Sequence, residues 1–349
     1  MASLRAVGTP LRVGVVGLGK MGRYHLQVLR DLPECRLVGV ADPSPAAREA
    51  ADAGQAPVVR CRDHWELLDA ARPDVVFVHV PVVAVYAVAA DLLRAGVPVF
   101  VEKPAGLFAW QTQHLAALAA TAGVRSMVGV NRRYYASLLA GHQAIEAAGG
   151  AHSVTVEAHE DPALVRAAGS FPAEVIDRWV VANGIHALDL LRFFGGSTCH
   201  VSAVQHHVVS PTLDPGATCA AALVGLANGG VGRLLVDTCA PGGHRFEVRG
   251  HGVTLTSDPG FLSAQWRCRP GLGARIPADG TVFGPDAYDQ RYKPGLWRQD
   301  QAFLRSVQHG QPAPFPASDL ADAAVTMGLI EQVCGYDDTE PPRDAAPPG

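Results

Sequence analysis

From Leu11 to about Asn131, short hydrophobic runs alternate with segments in which apolar residues recur every three or four positions. The runs show no strict alternation of apolar and polar residues, which is typical of strands buried on both faces of a sheet. The intervening segments are rich in alanine and leucine, as amphipathic helices are. The pattern therefore predicts a doubly wound parallel sheet in an α/β fold. The predicted strands are LRVGVVG, RLVGVAD, VVFVHV, VPVFVE and RSMVGV.

After about residue 150 the runs become strands with alternating polar and apolar residues, joined by turn-forming residues such as those at 227–230. This change indicates an open, mainly antiparallel sheet. We therefore expect a dinucleotide-binding domain over residues 1–127 and a second, α+β domain over residues 128–334.

The end of the chain contains one more helical pattern, SDLADAAVTMGLIEQVC, after Pro316. Ser318 is the predicted N-cap of this helix. The residues beyond it, 335–349, include few apolar side chains, so we predict a disordered tail.

The composition of the chain argues against two classes of binding partner, nucleic acids and membranes. The chain has 349 residues, of which 48% are hydrophobic and 18% charged, and its formal net charge is -4. This balance is typical of a globular protein without a basic surface, so neither nucleic acid nor a membrane is expected as a partner. The most apolar stretch, VVFVHVPVVAVYAVAADLL, includes Pro81 and Asp91 and is predicted to be a strand and a helix rather than a membrane span.

The cysteines are scattered singly, without a CxxC pair or a Cys/His cluster of zinc spacing, so no metal site is expected. They are expected to be reduced thiols in a cytoplasmic protein, since the N-terminal residues do not resemble a secretory signal. The seven positions are Cys35, Cys61, Cys199, Cys219, Cys239, Cys268 and Cys334.

The first predicted strand runs into a GxGxxG motif that opens a helix, Gly17-Leu18-Gly19-Lys20-Met21-Gly22. Gly17 would make the tight turn, Gly19 would let the backbone approach a pyrophosphate, and Gly22 would let helix and strand pack closely. The helix N-terminus would offer free N–H groups to the phosphates. This context predicts a Rossmann-type dinucleotide site, in which Lys20 could face either a phosphate or solvent.

Asp42 ends the second predicted strand, twenty residues after Gly22. A carboxylate there accepts hydrogen bonds from the adenosine ribose and repels a 2′-phosphate, so NAD is predicted in preference to NADP. The following Pro43-Ser44-Pro45 offers no arginine for a phosphate. Alternatively, Asp42 caps the helix that begins near Pro45.

The strand VPVFVE continues into Lys103 and Pro104 at the carboxyl edge of the sheet, where such folds bind ligands. Pro104 restricts Lys103 to extended geometry. An ammonium group in this position could stabilise the negative charge that develops on a substrate oxygen during hydride transfer. The alternative is an ordinary surface ion pair between Glu102 and Lys103.

GLGKMG, Asp42, EKP and the downstream GIHALDLL, in this order and spacing, resemble the Gfo/Idh/MocA family, which includes glucose-fructose oxidoreductase and inositol dehydrogenase. The resemblance extends from Leu11 to about Cys334. It implies NAD(P)-dependent oxidation or reduction of a sugar, cyclitol or related polyol. It also implies a cis Lys103-Pro104 bond and a homodimer or homotetramer formed through the open sheet.

By the same resemblance, His186 is the acid/base that takes the proton of the substrate hydroxyl, and Lys103 contacts the same oxygen. Many members carry an aspartate four residues before this histidine, where this chain has Ala182. Asn183, a predicted N-cap, or Asp189, one helical turn after His186, could take its place. Equally, Asp189 could be structural and bind Arg192 or a backbone N–H.

Further polar residues are expected to border the site, although the segment after RSMVGV could equally be a solvated helix start. His79 is expected to be packed rather than catalytic. The predicted cofactor-binding residues are Gly17, Gly19, Lys20, Met21, Gly22, Asp42, Pro81, Glu102 and Lys103. The predicted substrate-binding residues are Lys103, Asn131, Arg133, Tyr135, Asn183 and His186.

The sequence thus predicts an NAD-dependent dehydrogenase that acts on a CH–OH group, with a small-molecule substrate. One alternative is an NAD-using glycosidase of the same fold, although no additional acid for a leaving group is evident. Another is a non-catalytic NAD-binding regulatory protein, which the alanine at position 182 motivates.

Overall fold

The computed structural model describes residues 9–51, 57–207, 218–239, 241–257, 259–273 and 275–336. These residues form two compact units. The first unit includes the described residues up to 131 together with 291–324, and the second includes 132–290 and 325–336. Most of the predicted C-terminal tail lies outside the described residues.

The first unit is built on a six-stranded sheet. Its strands are β1 (Leu11–Val16), β2 (Cys35–Ala41), β3 (Val59–Cys61), β4 (Val75–Val78), β5 (Val99–Val101) and β6 (Ser126–Val128). They are all parallel and have the order β3-β2-β1-β4-β5-β6. The predicted doubly wound sheet is confirmed, and its strand order reverses between β1 and β4, which is where such folds bind dinucleotides. Only β3, a three-residue strand, was not among the predicted runs.

Helices connect the strands. They are α1 (Lys20–Asp31), α2 (Pro45–Ala50), α3 (His64–Ala71), α4 (Val82–Arg94) and α5 (Ala109–Ala122). Successive residues of a strand contribute to different apolar clusters: Val76 and Val78 belong to one, and Val75 and Phe77 to the other. Because side chains alternate across a strand, both faces of the sheet are buried, which explains the continuous hydrophobic runs.

A second sheet, of eight strands, forms the core of the second unit. Its strands are β7 (Ala151–His159), β8 (Thr198–His207), β9 (Thr218–Leu226), β10 (Val231–Asp237), β11 (Arg245–Gly250), β12 (Val253–Ser257), β13 (Ala264–Cys268) and β14 (Val282–Phe283). Their order is β14-β13-β12-β11-β7-β10-β9-β8, and every neighbouring pair except β7 and β10 is antiparallel. The predicted mainly antiparallel sheet is therefore confirmed.

The second unit also contains short helical segments. The α-helices are α6 (Ala136–Ala147), α7 (Pro162–Ala167), α8 (Ala173–Asp177), α9 (Ile185–Gly195) and α10 (Ala287–Arg291). Asn131–Tyr134 is a 3-10 turn, and Val180–Gly184 is a π-helical turn that runs directly into α9.

Two helices follow, α11 (Leu296–His309) and α12 (Leu320–Cys334). Both lie within residues 128–334, the range predicted for the second domain, but α11 packs within the first unit. Its Phe303 is fully buried, with ring centroids 5.5 Å from Phe77 and 5.8 Å from Phe100. The apolar face of α11 thus completes one of the two clusters beside the parallel sheet.

The predicted cap of α12 was wrong by one residue. The side chain of Asp319 accepts the N–H of Asp322 at 2.8 Å. The carbonyl of Ser318 instead accepts the N–H of Val128, the last residue of β6, at 2.8 Å. Ser318 therefore contacts β6 through its backbone carbonyl, and the side chain of the next residue, Asp319, caps α12.

Within the described part of the chain, no helix has both the length and the apolar character needed to cross a membrane. The seven cysteines are free thiols.

Candidate active site

The loop between β1 and α1 shows why glycine is needed at two of its positions. Gly17 has a φ of 90°, and a Cβ there would lie 2.5 Å from the carbonyl oxygen of His79. A Cβ on Gly22 would collide with the carbonyl oxygen of Gly17. These two glycines therefore allow the turn and the close approach of helix and strand.

Gly19 differs from these two glycines. Its φ is -65°, and a Cβ there would have no protein atom within 4 Å. The fold itself therefore does not require glycine at this position, whereas a pyrophosphate approaching the backbone would. Gly19 is also the N-cap of α1 and makes no side-chain cap, so the first N–H groups of the helix are available to phosphate oxygens. The loop fits a dinucleotide, with Lys20 exposed and Met21 half-buried beside it.

Asp42 follows β2 and is joined to this loop. One carboxylate oxygen accepts the N–H of Leu18 at 2.8 Å, and the other accepts the N–H of Ser44 at 2.9 Å. The cap of α2 is Ser44, whose hydroxyl accepts the N–H of Ala47 at 3.3 Å, so the interpretation of Asp42 as a helix cap is wrong. The carboxylate is held beside the glycine loop, where the ribose of a bound dinucleotide would lie.

Sequence reasoning did not anticipate an arginine near Asp42. Arg48 Nη1 donates to the carbonyl oxygens of Asp42 at 2.6 Å and of Pro43 at 3.1 Å. One turn of α2 brings this guanidinium back to the end of β2. The cation of Arg48 is therefore present beside Asp42, the carboxylate that is predicted to favour NAD over NADP.

Lys103 lies just after β5, and the Lys103-Pro104 peptide bond is cis, as the resemblance implied. Glu102 is buried, and its carboxylate accepts the backbone N–H of Lys103 at 3.0 Å. The carboxylate of Glu102 therefore binds the backbone of Lys103 and belongs to a buried network, which differs from the surface ion pair considered as an alternative.

The network centres on His25, a residue that sequence reasoning missed. His25 is fully buried on α1, with Nδ1 2.8 Å from Asp300 Oδ2 and Nε2 3.3 Å from Glu102 Oε1. Its ring stacks on His79, with centroids 4.1 Å apart. The signal in the sequence was a histidine three residues after Gly22, on the buried face of an amphipathic helix.

The charge state of His25 follows from these contacts. Burial opposes the imidazolium, but the attraction of Asp300, together with hydrogen bonds to Asp300 and Glu102, raises the pKa of His25 to about 9. Burial also raises the pKa of Asp300, and the attraction of His25 opposes that shift. We assign the proton to His25 because each of its ring nitrogens faces a carboxylate oxygen. Burial, followed by repulsion from His25, keeps the pKa of His79 well below its ordinary value.

His25, His79 and Glu102 also have the spacing of a metal site, with potential ligand atoms within 4.8 Å of one another. However, both nitrogens of His25 already bind carboxylates, and its ring is stacked on that of His79 at an interplanar angle of 21°. Stacked rings direct their lone pairs side by side rather than toward one point. A charged hydrogen-bond network explains this cluster better than a metal does.

In the second unit, His186 is the second residue of α9 and is buried. It follows the π-helical turn Val180–Gly184 directly. A Cβ on Gly184 would lie 2.9 Å from the Val180 side chain, so this turn requires glycine at its last position. Such turns are rare and often mark functional sites.

Asp189 does not contact Arg192 as one interpretation proposed. Its carboxylate accepts two hydrogen bonds from Arg133, at 2.7 and 2.6 Å, and both side chains are almost fully buried. Thr326 Oγ1 donates to it at 3.1 Å and accepts from Arg192 at 2.7 Å. Asp189 and Arg133, which were predicted for catalysis and substrate binding, are thus joined in a bidentate ion pair.

Asn183 lies inside the π-helical turn and is not the N-cap of α9, a position that Gly184 holds. Its side-chain nitrogen donates to both carboxylate oxygens of Glu160, at 2.8 and 3.1 Å. Glu160 is a second residue that sequence reasoning missed, because nothing in the segment after β7 distinguishes it from a surface glutamate.

The other predicted site residues differ in exposure. Pro81 is the exposed N-cap of α4, whereas Tyr135 is buried at the start of α6. Asn131 is buried, and its side-chain nitrogen donates to the carbonyl of Pro294 at 2.9 Å within the first unit.

Comparison with known proteins agrees with this geometry. Residues 11–130 match the sequence model of GFO_IDH_MocA, described as an oxidoreductase family with an NAD-binding Rossmann fold. Inositol 2-dehydrogenase of Rhizobium meliloti is 24% identical over 331 residues, which cover 90% of this chain and 96% of that protein.

The predicted resemblance to the Gfo/Idh/MocA oxidoreductases is thus confirmed over residues 11–130, which match the NAD-binding Rossmann fold of this family.

Solved structures show the same fold over nearly the whole chain. GenD2 from gentamicin A biosynthesis, in complex with NAD, superposes with a TM-score of 0.68 at 26% identity and covers 95% of both chains. A dehydrogenase from Chromobacterium violaceum superposes with a TM-score of 0.77 at 18% identity, covering 94% of this chain and 95% of that one. At 18% identity, the second likeness supports the fold alone.

The raised pKa of His25 makes stability depend on pH. A histidine with a raised pKa in the folded state contributes stability that is complete below its unfolded pKa, about 6.5, and lost as pH rises through the folded value, about 9. We expect His25→Gln to be less stable than wild type below pH 6.5 and this difference to shrink by on the order of 3 kcal/mol by about pH 10. Urea denaturation across this range measures the difference.

His309→Gln is the control, because His309 is exposed at the end of α11. Its stability relative to wild type is expected to stay constant with pH. A constant difference for His25→Gln as well would contradict the assignment of a buried imidazolium.

Asp42 generates a prediction about cofactor choice. Asp42→Ala removes hydrogen bonds to the ribose and the repulsion of a 2′-phosphate, and it leaves Arg48 beside the site. We expect the Kd for NAD to rise about 10- to 100-fold, from the usual strength of hydrogen bonds to a charged group, while the Kd for NADP changes little or falls. Calorimetric titration with each cofactor measures both constants.

Glu49→Ala, an exposed change on α2, removes a nearby negative charge without touching the predicted ribose site. It should retain the wild-type ratio of the two constants. If Asp42→Ala retained that ratio too, Asp42 would not select the cofactor.

Proposed function

We propose that this oxidoreductase moves a hydride between NAD and a secondary hydroxyl or ketone of a sugar, cyclitol or related polyol. One pair of features supports the proposal. The dinucleotide loop is joined to Asp42, the carboxylate predicted to bind the ribose, and the same sheet carries Lys103, whose backbone N–H donates to Glu102. The similarity to an inositol 2-dehydrogenase over 90% of the chain supports the substrate class.

The nicotinamide of bound NAD supplies the hydride acceptor or donor. In our proposal the imidazole of His186 removes the proton of the substrate hydroxyl during oxidation and returns it during reduction. The carbon of an alcohol does not release its hydride readily while the hydroxyl on it keeps its proton, and imidazole exchanges protons near neutral pH. His186 is 7% exposed, so its ring has little competition from bulk water.

Lys103 is proposed to place its ammonium group on the reacting oxygen. The developing alkoxide is then stabilised by a fixed positive charge. Glu102 holds the backbone N–H of Lys103, so the lysine begins from a defined backbone position. Asn131 and Tyr135 remain proposed substrate contacts, whereas Arg133 and Asn183 are engaged with Asp189 and Glu160 respectively.

The experiment follows reduced cofactor by absorbance, with NAD and a panel of cyclitols, free sugars and nucleotide-linked sugars, in both directions. With the substrate that is found, we expect Lys103→Ala and His186→Ala each to lower kcat by about 100- to 10,000-fold, the usual contribution of such groups. Calorimetry should show that His186→Ala still binds NAD.

His309→Ala changes the same residue type as His186→Ala at an exposed position and should retain wild-type kcat. Absence of turnover with every compound in both directions would contradict the proposal. Release of sugar from a glycoside without net cofactor reduction would favour the glycosidase instead, and NAD binding without any turnover would favour a regulatory protein.

We further propose that a second copy of the chain covers one face of the eight-stranded sheet. Val204, Leu223 and Val231 are 73%, 56% and 42% exposed, and the strand register places them on the same face of β8, β9 and β10. The residues of these strands that point to the opposite face, such as Val224 and Leu234, are buried. A face on which each of three neighbouring strands exposes a large apolar side chain is typical of a protein interface.

The double variant Val204→Asp/Leu223→Asp tests this interface by light scattering. We expect wild type to have at least twice the chain mass of 36.6 kDa, as a dimer or tetramer, and the variant to have the chain mass. Val282→Asp, on the exposed strand β14, should behave as wild type. A monomeric wild type would contradict the interface. We also propose a cytoplasmic location, which the seven free thiols support.

A further inference from the structure

We propose that Glu160 is a positioning residue for His186, because its carboxylate binds the residues at the two ends of the π-helical turn that leads into His186. This inference rests on the proposed function of His186 as the acid/base.

The carboxylate of Glu160 is buried and receives four hydrogen bonds. Trp179 Nε1 donates to Oε2 at 2.9 Å, and the Asn183 amide donates to Oε1 at 2.8 Å and to Oε2 at 3.1 Å. His244 Nε2 lies 2.5 Å from Oε1. A carboxylate has about four lone-pair directions, so this one is saturated and its orientation is defined.

Trp179 precedes the π-helical turn Val180–Gly184, and Asn183 is its fourth residue. One rigid acceptor therefore fixes the turn at both ends. A widened turn lacks the regular hydrogen-bond ladder of an α-helix, so contacts from outside help to determine its shape. Because α9 begins at Ile185, directly after the turn, the shape of the turn determines the position and orientation of His186.

The charge of Glu160 is balanced through His244. Arg132 Nη1 lies 2.7 Å from His244 Nδ1, and its guanidinium stacks on Phe261 with 4.8 Å between Cζ and the ring centroid. Since a guanidinium only donates, Nδ1 accepts and Nε2 carries the hydrogen that is donated to Glu160. The chain from Arg132 to Glu160 thus has one consistent set of donors and acceptors.

This arrangement keeps Glu160 ionised. Burial alone would raise the pKa of Glu160, but the hydrogen bonds from His244, Asn183 and Trp179 lower it below its ordinary value. An ionised acceptor makes stronger hydrogen bonds than a neutral one, so the turn is held more firmly.

A second anchor holds the other side of His186. Asp189, three residues later on α9, is bound by Arg133 through two hydrogen bonds. Asn183 is three residues earlier and is bound by Glu160. His186 therefore lies between two tethered side chains, of which Asn183 belongs to the irregular turn and Asp189 to the regular helix.

Glu160→Gln and Asn183→Leu test the inference. The first removes the charge, and the second removes the two hydrogen bonds from residue 183 while leaving the charge of Glu160. We expect each to lower kcat on the order of 100-fold, the usual effect of misplacing a reacting group, with the KM of the substrate within about threefold of wild type. An Asn183 that instead contacts substrate would raise KM in Asn183→Leu, and that result would count against the inference.

A second measurement does not need a substrate. The ring resonance of His186 is assigned in a histidine-labelled protein by its loss in His186→Gln. We expect this resonance to shift or broaden in both variants, while that of His309 stays unchanged. If the compound panel gives no turnover, the proposed function fails, but the resonance still decides the role of Glu160.

Glu157→Gln is the matched control, because Glu157 is a half-buried residue of β7 whose Oε2 lies 3.3 Å from His159 Nε2. It should leave kcat and the His186 resonance unchanged, and NAD titration and circular dichroism verify folding of every variant. If Glu160→Gln does not fold, Asn183→Leu alone decides. A His186 resonance that is unchanged in the folded variants would overturn the inference, as would a kcat within twofold of wild type.

Discussion

A carboxylate that is withdrawn from water must receive hydrogen bonds on its oxygens, since an unpaired buried charge is strongly unfavourable. Three such carboxylates lie beside the residues proposed to do chemistry. Glu102 is adjacent to Lys103, and Glu160 and Asp189 are connected to the segment on either side of His186. Each contacts at least one group from a distant part of its own unit, so the position of each proposed catalytic residue depends on the tertiary fold and not on local structure alone.

These pairs are better explained by geometry than by stability. Apolar residues of similar volume often replace a buried ion pair without loss, whereas removing one partner leaves a charge uncompensated and costs about 3–5 kcal/mol. A bidentate pair such as Arg133 with Asp189 also fixes the orientation of two planar groups, which an apolar contact does not do. Each unit therefore has buried charged pairs where the orientation of a side chain is fixed, and apolar clusters elsewhere.

The sequence predicted what depends on neighbouring residues. The glycine loop, Asp42 and the Lys103-Pro104 turn were all found because strand, turn and helix follow each other within a short segment, and each motif has its own chemical requirement. The two sheets were distinguishable because strands buried on both faces and strands buried on one face have different patterns. Strand β3 was not identified because two of its three residues, Val59 and Arg60, are exposed, so it lacks a buried apolar run.

Residues that depend on long-range contacts were not found. His25 and Asp300 are 275 positions apart in the chain, and Glu160 and His244 are 84 apart. Their local sequences predict only a helical face or a strand end. Helix α11 lies within the range predicted for the second domain but packs in the first unit, because an amphipathic helix has a buried face whose partner its local sequence does not reveal. Asp189 was correctly placed near His186 along the helix, but its partner, Arg133, is 56 positions away.

Arg132 and Arg133 are consecutive residues of one 3-10 turn, yet they serve the two different anchors of the segment around His186. Consecutive side chains on such a turn cannot move independently, because a rotation of the backbone displaces both. The two anchors are therefore energetically coupled, and substitutions in one should change the effect of substitutions in the other. Evolution of the proposed acid/base would then proceed by compensated pairs of changes, in which a new partner for one arginine is accepted only when the other is accommodated.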